Sequence, residues 1–158
     1  MPVGPTLHPP GPNTGTGGLP THEVAAFVLD MAPVQQNRPR ARCIGGKARM
    51  YSDQAKIKGA ISTLLAHAWR RRKPIAAPVC LSLLFCMPRP KSRKVKDIEH
   101  TKKPDLSNMV KMVEDCGNGI IWRDDSLIYE IFTRKIYSDY PCVKVEVKWQ
   151  SLPTKPPA

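Results

Sequence analysis

The 158-residue sequence predicts an α/β (α+β) fold, a mixed β-sheet with two main helices. Three observations carry that prediction. Cys142 to Gln150 (CVKVEVKWQ) alternates strictly between apolar and polar residues, the period of a half-buried strand. Val79 to Met87 (VCLSLLFCM) is apolar on both faces apart from Ser82, as a central strand must be. Leu106, Met109, Val110 and Val113 fall at i, i+3, i+4 and i+7, one buried face of a helix. No internal repeat is visible, and the length suits one domain.

Residues 1–22 are rich in Pro, Gly and Thr and carry no hydrophobic period. They are expected to be a disordered extension, because they bury too little surface to offset the entropy of ordering. The folded domain is expected over residues 23–150. Glu23 to Met31 (EVAAFVLDM) reads as the first strand, ended by Ala32-Pro33. A loop to about Met50 follows, carrying Arg38, Arg40, Arg42, Lys47 and Arg49, with Gly45-Gly46 for flexibility. Cations spaced on mobile backbone suit phosphate contacts that carry no base information, although plain solvation would use the same residues. Ser52 or Asp53 can cap a helix reaching Arg72, with Ile57, Ile61, Leu64, Leu65 and Ala68 as its buried stripe. Lys56, Arg70, Arg71, Arg72 and Lys73 load its surface and C-terminus with charge that the helix dipole favours.

After the central strand comes PRPKSRKVKDIEHTKKP, residues 88–104, with Arg89, Lys91, Arg93, Lys94, Lys96, Lys102 and Lys103. A loop this long inside a compact domain is usually functional or disordered. Its cations would counter phosphate charge where a backbone approaches the next segment.

That segment, Lys103 to Ser126 (KPDLSNMVKMVEDCGNGIIWRDDS), is the densest part of the chain. Pro104 and Asp105 suit a helix start. Asp105, Asn108, Lys111 and Asp115 gather on the side opposite the apolar stripe. Gly117-Asn118-Gly119 stops the helix, Ile120 to Trp122 reads as a short buried strand, and Arg123 to Ser126 as a polar turn. The fold-back would bring Asp124 and Asp125 toward the face carrying Asp105 and Lys111. Carboxylates converging beside a lysine on a basic chain point to a metal-dependent phosphodiester site. The bland alternative is a helix cap, a solvated turn and a surface lysine. Leu127 to Tyr137 and Cys142 to Gln150, joined by Ser138 to Pro141, are expected to form an antiparallel hairpin, and residues 151–158 a disordered tail.

Net charge is +12 with a pI near 9.8, a balance that favours a polyanionic partner. The residues expected to face nucleic acid are Arg38, Arg40, Arg42, Lys47, Arg89, Lys91, Arg93, Lys94, Lys102 and Lys103. An enzyme of small phosphorylated metabolites fits this charge poorly, and no Gly-rich phosphate loop is present. Five cysteines, none spaced Cys-x-x-Cys, read as reduced thiols, and four scattered histidines do not make a zinc site. No apolar run approaches the roughly 20 residues that span a bilayer, and residues 1–22 lack the charged-then-apolar pattern expected of a secretory signal. A cytoplasmic protein is expected.

The string Lys103-Pro104-Asp105-Leu106-Ser107-Asn108-Met109-Val110-Lys111, then Asp115-Cys116-Gly117-Asn118-Gly119, then Ile121-Trp122-Arg123-Asp124-Asp125, resembles the RusA family of Holliday junction resolvases. These are endonucleases of bacteria and their phages, and a looser likeness runs from about Val24 to Trp149. The resemblance implies a homodimeric, RusA-like fold that resolves four-way junctions or related branched DNA in recombination and repair. It implies Mg²⁺, or Mn²⁺ in its place, held by Asp105, Asp124 and Asp125. It also implies Asp105, Lys111 and Asp125 as the catalytic set. One departure stands out: the family commonly carries a second aspartate where this chain has Ser107. The alternative reading is therefore a catalytically weakened or inactive protein that binds branched DNA or RNA.

Overall fold

The computed structural model describes residues 21–38, 40–51, 53–91 and 98–151. The strands are β1 (Thr21–Leu29), β2 (Arg40–Ile44), β3 (Lys47–Tyr51), β4 (Val79–Pro88), β5 (Ile128–Ser138) and β6 (Cys142–Ser151). The helices are α1 (Ala55–Ala68) and α2 (Leu106–Gly117), and a 3-10 turn spans Asp125–Leu127. Four strands form one sheet in the order β1-β6-β4-β5, and β2 and β3 form a separate two-stranded ribbon. The sheet is mixed: β4 and β5 run parallel, while β6 is antiparallel to both of its neighbours.

The central position of β4 follows from its composition. A strand apolar on both faces is stable only where both faces and both edges are covered, and β4 lies between β6 and β5, buried over most of its length. This overturns the expected β5–β6 hairpin. The Ser138–Pro141 turn carries the chain across β4, so β4 takes up the hydrogen-bonding edges of both strands. In β6 the alternation holds, with Val143, Val145 and Val147 buried and Lys144 and Lys148 exposed. Leu65 of α1, Met109, Met112 and Val113 of α2, and Ile121 and Trp122 share one core with those valines. Trp69 belongs to it as well, its ring meeting Trp149 edge-on at 5.7 Å. The other sheet face leaves Val24, Val28 and Phe132 exposed.

Five further expectations need correction. The 33–50 segment is not simply a loop. Gly45 and Gly46 have φ of 60° and 74°, both positive as a two-residue type I′ turn requires, and they close the β2–β3 hairpin. Helix α1 stops at Ala68 rather than Arg72, because Arg70 and Arg71 take left-handed backbone, with φ of 53° and 55°. Its buried stripe is narrower than the periodicity implies: Ile61 and Leu65 are buried, but Ile57 and Leu64 are 40% and 37% exposed. Its first cap is Gln54, whose side chain instead accepts from Asn37 N at 2.6 Å and donates to Gln35 O at 2.8 Å.

Ile120 to Trp122 is no strand. Gly119, at φ 72°, turns the chain, and the segment makes isolated bridges in place of a strand, Trp122 with Asn118 and with Ile75: Ile75 N donates to Ile121 O, and Arg123 N to Ile75 O. Strand β1 begins at Thr21 and β6 ends at Ser151, one against the other, each slightly past the expected boundary. The remainder of the expected N-terminal extension and C-terminal tail lies outside the described residues. Cys80, Cys86 and Cys116 are buried free thiols, Cys142 is half-buried and Cys43 exposed.

Candidate active site

The site is built where α2 meets the turn that follows it. Asp105 holds the N-cap position with extended backbone, φ −72° and ψ 136°. Its carbonyl accepts from Met109 N, but its exposed carboxylate makes no capping bond. Among the described residues that carboxylate has no ion pair. An acid at a helix start usually commits its oxygens to the first free N–H groups; this one leaves them available.

At the other end of α2 the chain reverses tightly. A Cβ added at Gly117 would lie 2.5 Å from Cζ2 of Trp122, so only glycine lets the indole close over the helix end. Trp122 Nε1 donates to Asn118 Oδ1 at 3.1 Å, and the indole is fully buried. This anchor sets the place of Asp124 and Asp125. Asp124 accepts from Ser126 N at 2.9 Å and caps the 3-10 turn, and the Ser126 side chain, then this N–H, hold its carboxyl below its ordinary value. Asp125 reaches back to α2, its Oδ2 3.0 Å from Lys111 Nζ.

Lys111 also pairs with Asp115, one turn along, at 3.1 Å. Asp115 in turn accepts from Lys58 of α1 at 3.1 Å and from Gln36 Nε2 at 2.9 Å. The bonds from Asp125 and then Asp115 push the Lys111 ammonium above its ordinary pKa, so it stays charged. Burial alone would raise Asp115, but its bonds from Lys111, Lys58 and Gln36 outweigh that and hold it below its ordinary value. Its neighbour Glu114 goes the other way: burial pushes its carboxyl up by more than the Lys111 charge pulls it down.

An open cleft of about 650 Å³ lies beside these groups, lined by Ser107, Lys111, Glu114 and Thr133 over apolar Leu106, Val110 and Ile131. A smaller recess of about 150 Å³ brings Arg38 beside Lys111, with Gln36, Asn37 and Asn108. Gln36 N donates to Asn108 O, which ties the 33–38 loop to α2.

The structure thus joins Lys111 to Asp125 and Asp115 and sets Arg38 and Ser107 next to Lys111. It does not gather all the expected groups. Arg89 pairs with Asp139 at 3.2 Å and stands over the Tyr137 ring, at the end of β4. Lys91, Lys102 and Lys103 are exposed, and Arg93 and Lys94 lie outside the described residues. Lys135 donates to the carbonyls of Lys102 and Pro104, both at 2.6 Å, and so fixes the approach to Asp105. Among the described residues, no three His, Cys, Asp or Glu side chains stand together as a group able to hold a metal ion. The available donors are carboxylate oxygens, two of them drawn to one ammonium. That set fits a hard cation such as Mg²⁺, which takes one or two carboxylates and completes its shell with water and substrate phosphate.

Lys58, Gln36 and Glu114 are not among the residues singled out from sequence. Lys58 had a signal: it stands three and seven residues before Ile61 and Leu65, on the buried side of its helix, where a lysine needs an acidic partner.

Comparison with known proteins follows the same lines. Residues 30–148 match the family model described as Endodeoxyribonuclease RusA. A protein of Bacillus subtilis (strain 168), Uncharacterized protein YqaN, is 35% identical over 134 residues, covering 77% of this chain and 94% of that protein. No helix among the described residues is long and apolar enough to cross a membrane.

Proposed function

The chain belongs to the RusA endodeoxyribonuclease family, and on that premise we propose that it is a Mg²⁺-dependent endonuclease resolving four-way or related branched DNA. The observation that carries this reading is the 3.0 Å contact between Lys111 and Asp125, made across the chain reversal that follows α2. By the family resemblance, Asp105, Asp124 and Asp125 would supply carboxylates to the ion, and Mn²⁺ could replace it. When bound, that ion would acidify a water and offset charge on the phosphate. The remaining work falls to the chain. Lys111, kept protonated, is placed to meet the charge that builds on the non-bridging oxygens as water attacks phosphorus and the P–O3′ bond breaks. Asp115, held by Lys58 and Gln36, keeps the Lys111 ammonium on the cleft side. The basic loops would bring phosphates in by charge, and a homodimer would match a substrate with two opposed strands to cut.

Incubating a synthetic four-way junction with the protein and Mg²⁺ tests the reading. Paired nicks are expected, abolished by EDTA and by Asp125→Asn. Intact DNA under every divalent-ion condition would refute it.

A second reading has its own support. Ser107, where the family commonly has an acid, lines the cleft and adds no negative charge. A protein that binds branched DNA without cutting it would be the result. Ser107→Asp decides: it should raise nicking or lower the Mg²⁺ concentration needed, and no gain in a normally folded variant would show that the second acid is dispensable here.

A further inference from the structure

The β2–β3 ribbon pairs with itself, apart from the four-stranded sheet. All five residues of β2 are exposed, as are Lys47, Ala48 and Met50 of β3. Among the described side chains of the two strands, none belongs to the hydrophobic core or packs against it. An isolated two-stranded hairpin is marginal in water.

Strand alternation explains what the arrangement is for. Positions 40, 42, 44, 47, 49 and 51 share one face, and four of them are Arg or Lys. The opposite face holds only Ala41, Cys43, Ala48 and Met50. The foot of the ribbon is anchored at the site, because Arg38, two residues before β2, lines the recess with Lys111. Five residues per strand give the ribbon a reach of about 16 Å, close to half a turn of duplex.

The geometry points to the ribbon as a DNA arm: it lies along the double-stranded segment flanking the branch, its cationic face against the phosphates. This deepens the nuclease reading and rests on it for the choice of DNA. The ribbon would set where the duplex runs relative to Lys111 and would not read sequence, since phosphate contacts position rather than specify. A hairpin that is marginal by itself should also be ordered more firmly in the complex than alone.

The test is binding of a four-way junction and of a linear duplex in EDTA, where no cleavage intervenes. The Arg40→Ala/Arg42→Ala/Lys47→Ala variant should bind both about 10–100-fold more weakly. Its slope of log affinity against log salt should be shallower by roughly 2 to 3, about 0.9 for each phosphate no longer neutralised. Hydrogen exchange on the unaltered protein provides a readout free of folding artefacts: amides 40–51 should gain protection when either DNA is added. An unchanged salt slope together with unprotected amides would overturn the arm. Protection that rises with protein concentration and without DNA would also overturn it, by assigning the ribbon to contact between copies. Ribbon protection on linear duplex with no added affinity for the junction would keep the arm and remove branch selectivity from the proposed function.

Discussion

Asp125 lies 3.0 Å from the ammonium of Lys111, fourteen residues earlier in the chain, and the two meet because Trp122 folds onto Gly117. Lys111 therefore sits between two carboxylates, one on its own helix and one on the returning turn. A lysine so placed stays charged and has a fixed position.

Lys111→Met should lower nicking of a four-way junction by about 10²–10³-fold, the usual cost of removing one fixed charge from a phosphoryl-transfer site. Both ion pairs are half-exposed, so the stability change should stay near 0–1 kcal/mol. Single-turnover nicking and urea denaturation measure the two effects separately. Retained nicking would remove Lys111 from the catalytic set.

Asp105→Asn isolates chemistry from folding. The Asp105 carboxylate makes no capping bond and has no cationic partner among the described residues, so the variant should fold with stability within about 0.5 kcal/mol of the parent. Nicking in Mg²⁺ should fall at least about 10²-fold. If stability collapsed instead, Asp105 would be a structural cap after all.

Acid should expose the opposite roles of neighbouring carboxyls. Asp115 is held below its ordinary value in the fold, so its pairing stabilises the protein above about pH 3.9 and the benefit fades as acid protonates it. Asp115→Asn should thus be less stable than the parent at pH 7, by about 1 kcal/mol, and nearly equal to it at pH 2. Glu114, raised by burial, is held ionised at pH 7 against the preference of the fold. Glu114→Gln should melt higher at pH 7 and show no gain at pH 3, where both side chains are neutral. Thermal melts across that range check both signs.

Gly117→Ala should damage the site from a distance. The added methyl meets the indole of Trp122 at 2.5 Å, and relieving that overlap typically costs about 1–3 kcal/mol. Because the indole positions the turn, Asp125 should also leave Lys111. A lower denaturation midpoint, a changed tryptophan spectrum and reduced nicking should appear together. Parent-like values in all three would mean that the helix end has more room than this packing implies.

The legible part of the fold had strong local periodicity. The α2 stripe, the two-sided apolar run of β4 and the alternation of β6 each specify burial within a few residues of chain, and all three hold. Ile57 and Leu64 show the limit: they fit the α1 period but stay exposed, because burial depends on what lies opposite. Gly45-Gly46 carried the signature of a hairpin turn, and mobile backbone was the wrong physical use for it.

The sequence by itself determined strands β1, β4, β5 and β6 and helix α2, the helix-to-turn string that marks the family, and the approach of the later acids to a helical lysine. Those features depend on spacings of a few residues, which fix side-chain faces before any tertiary contact forms. Only the tertiary structure decided that β4 separates β5 from β6, that β2 and β3 stand apart as a basic ribbon, and that Asp115 is held from Gln36 and Lys58. Those last two hydrogen bonds span 79 and 57 residues of chain. Pairings that distant leave no local period, since they exist only after the sheet has brought its two helices onto one face.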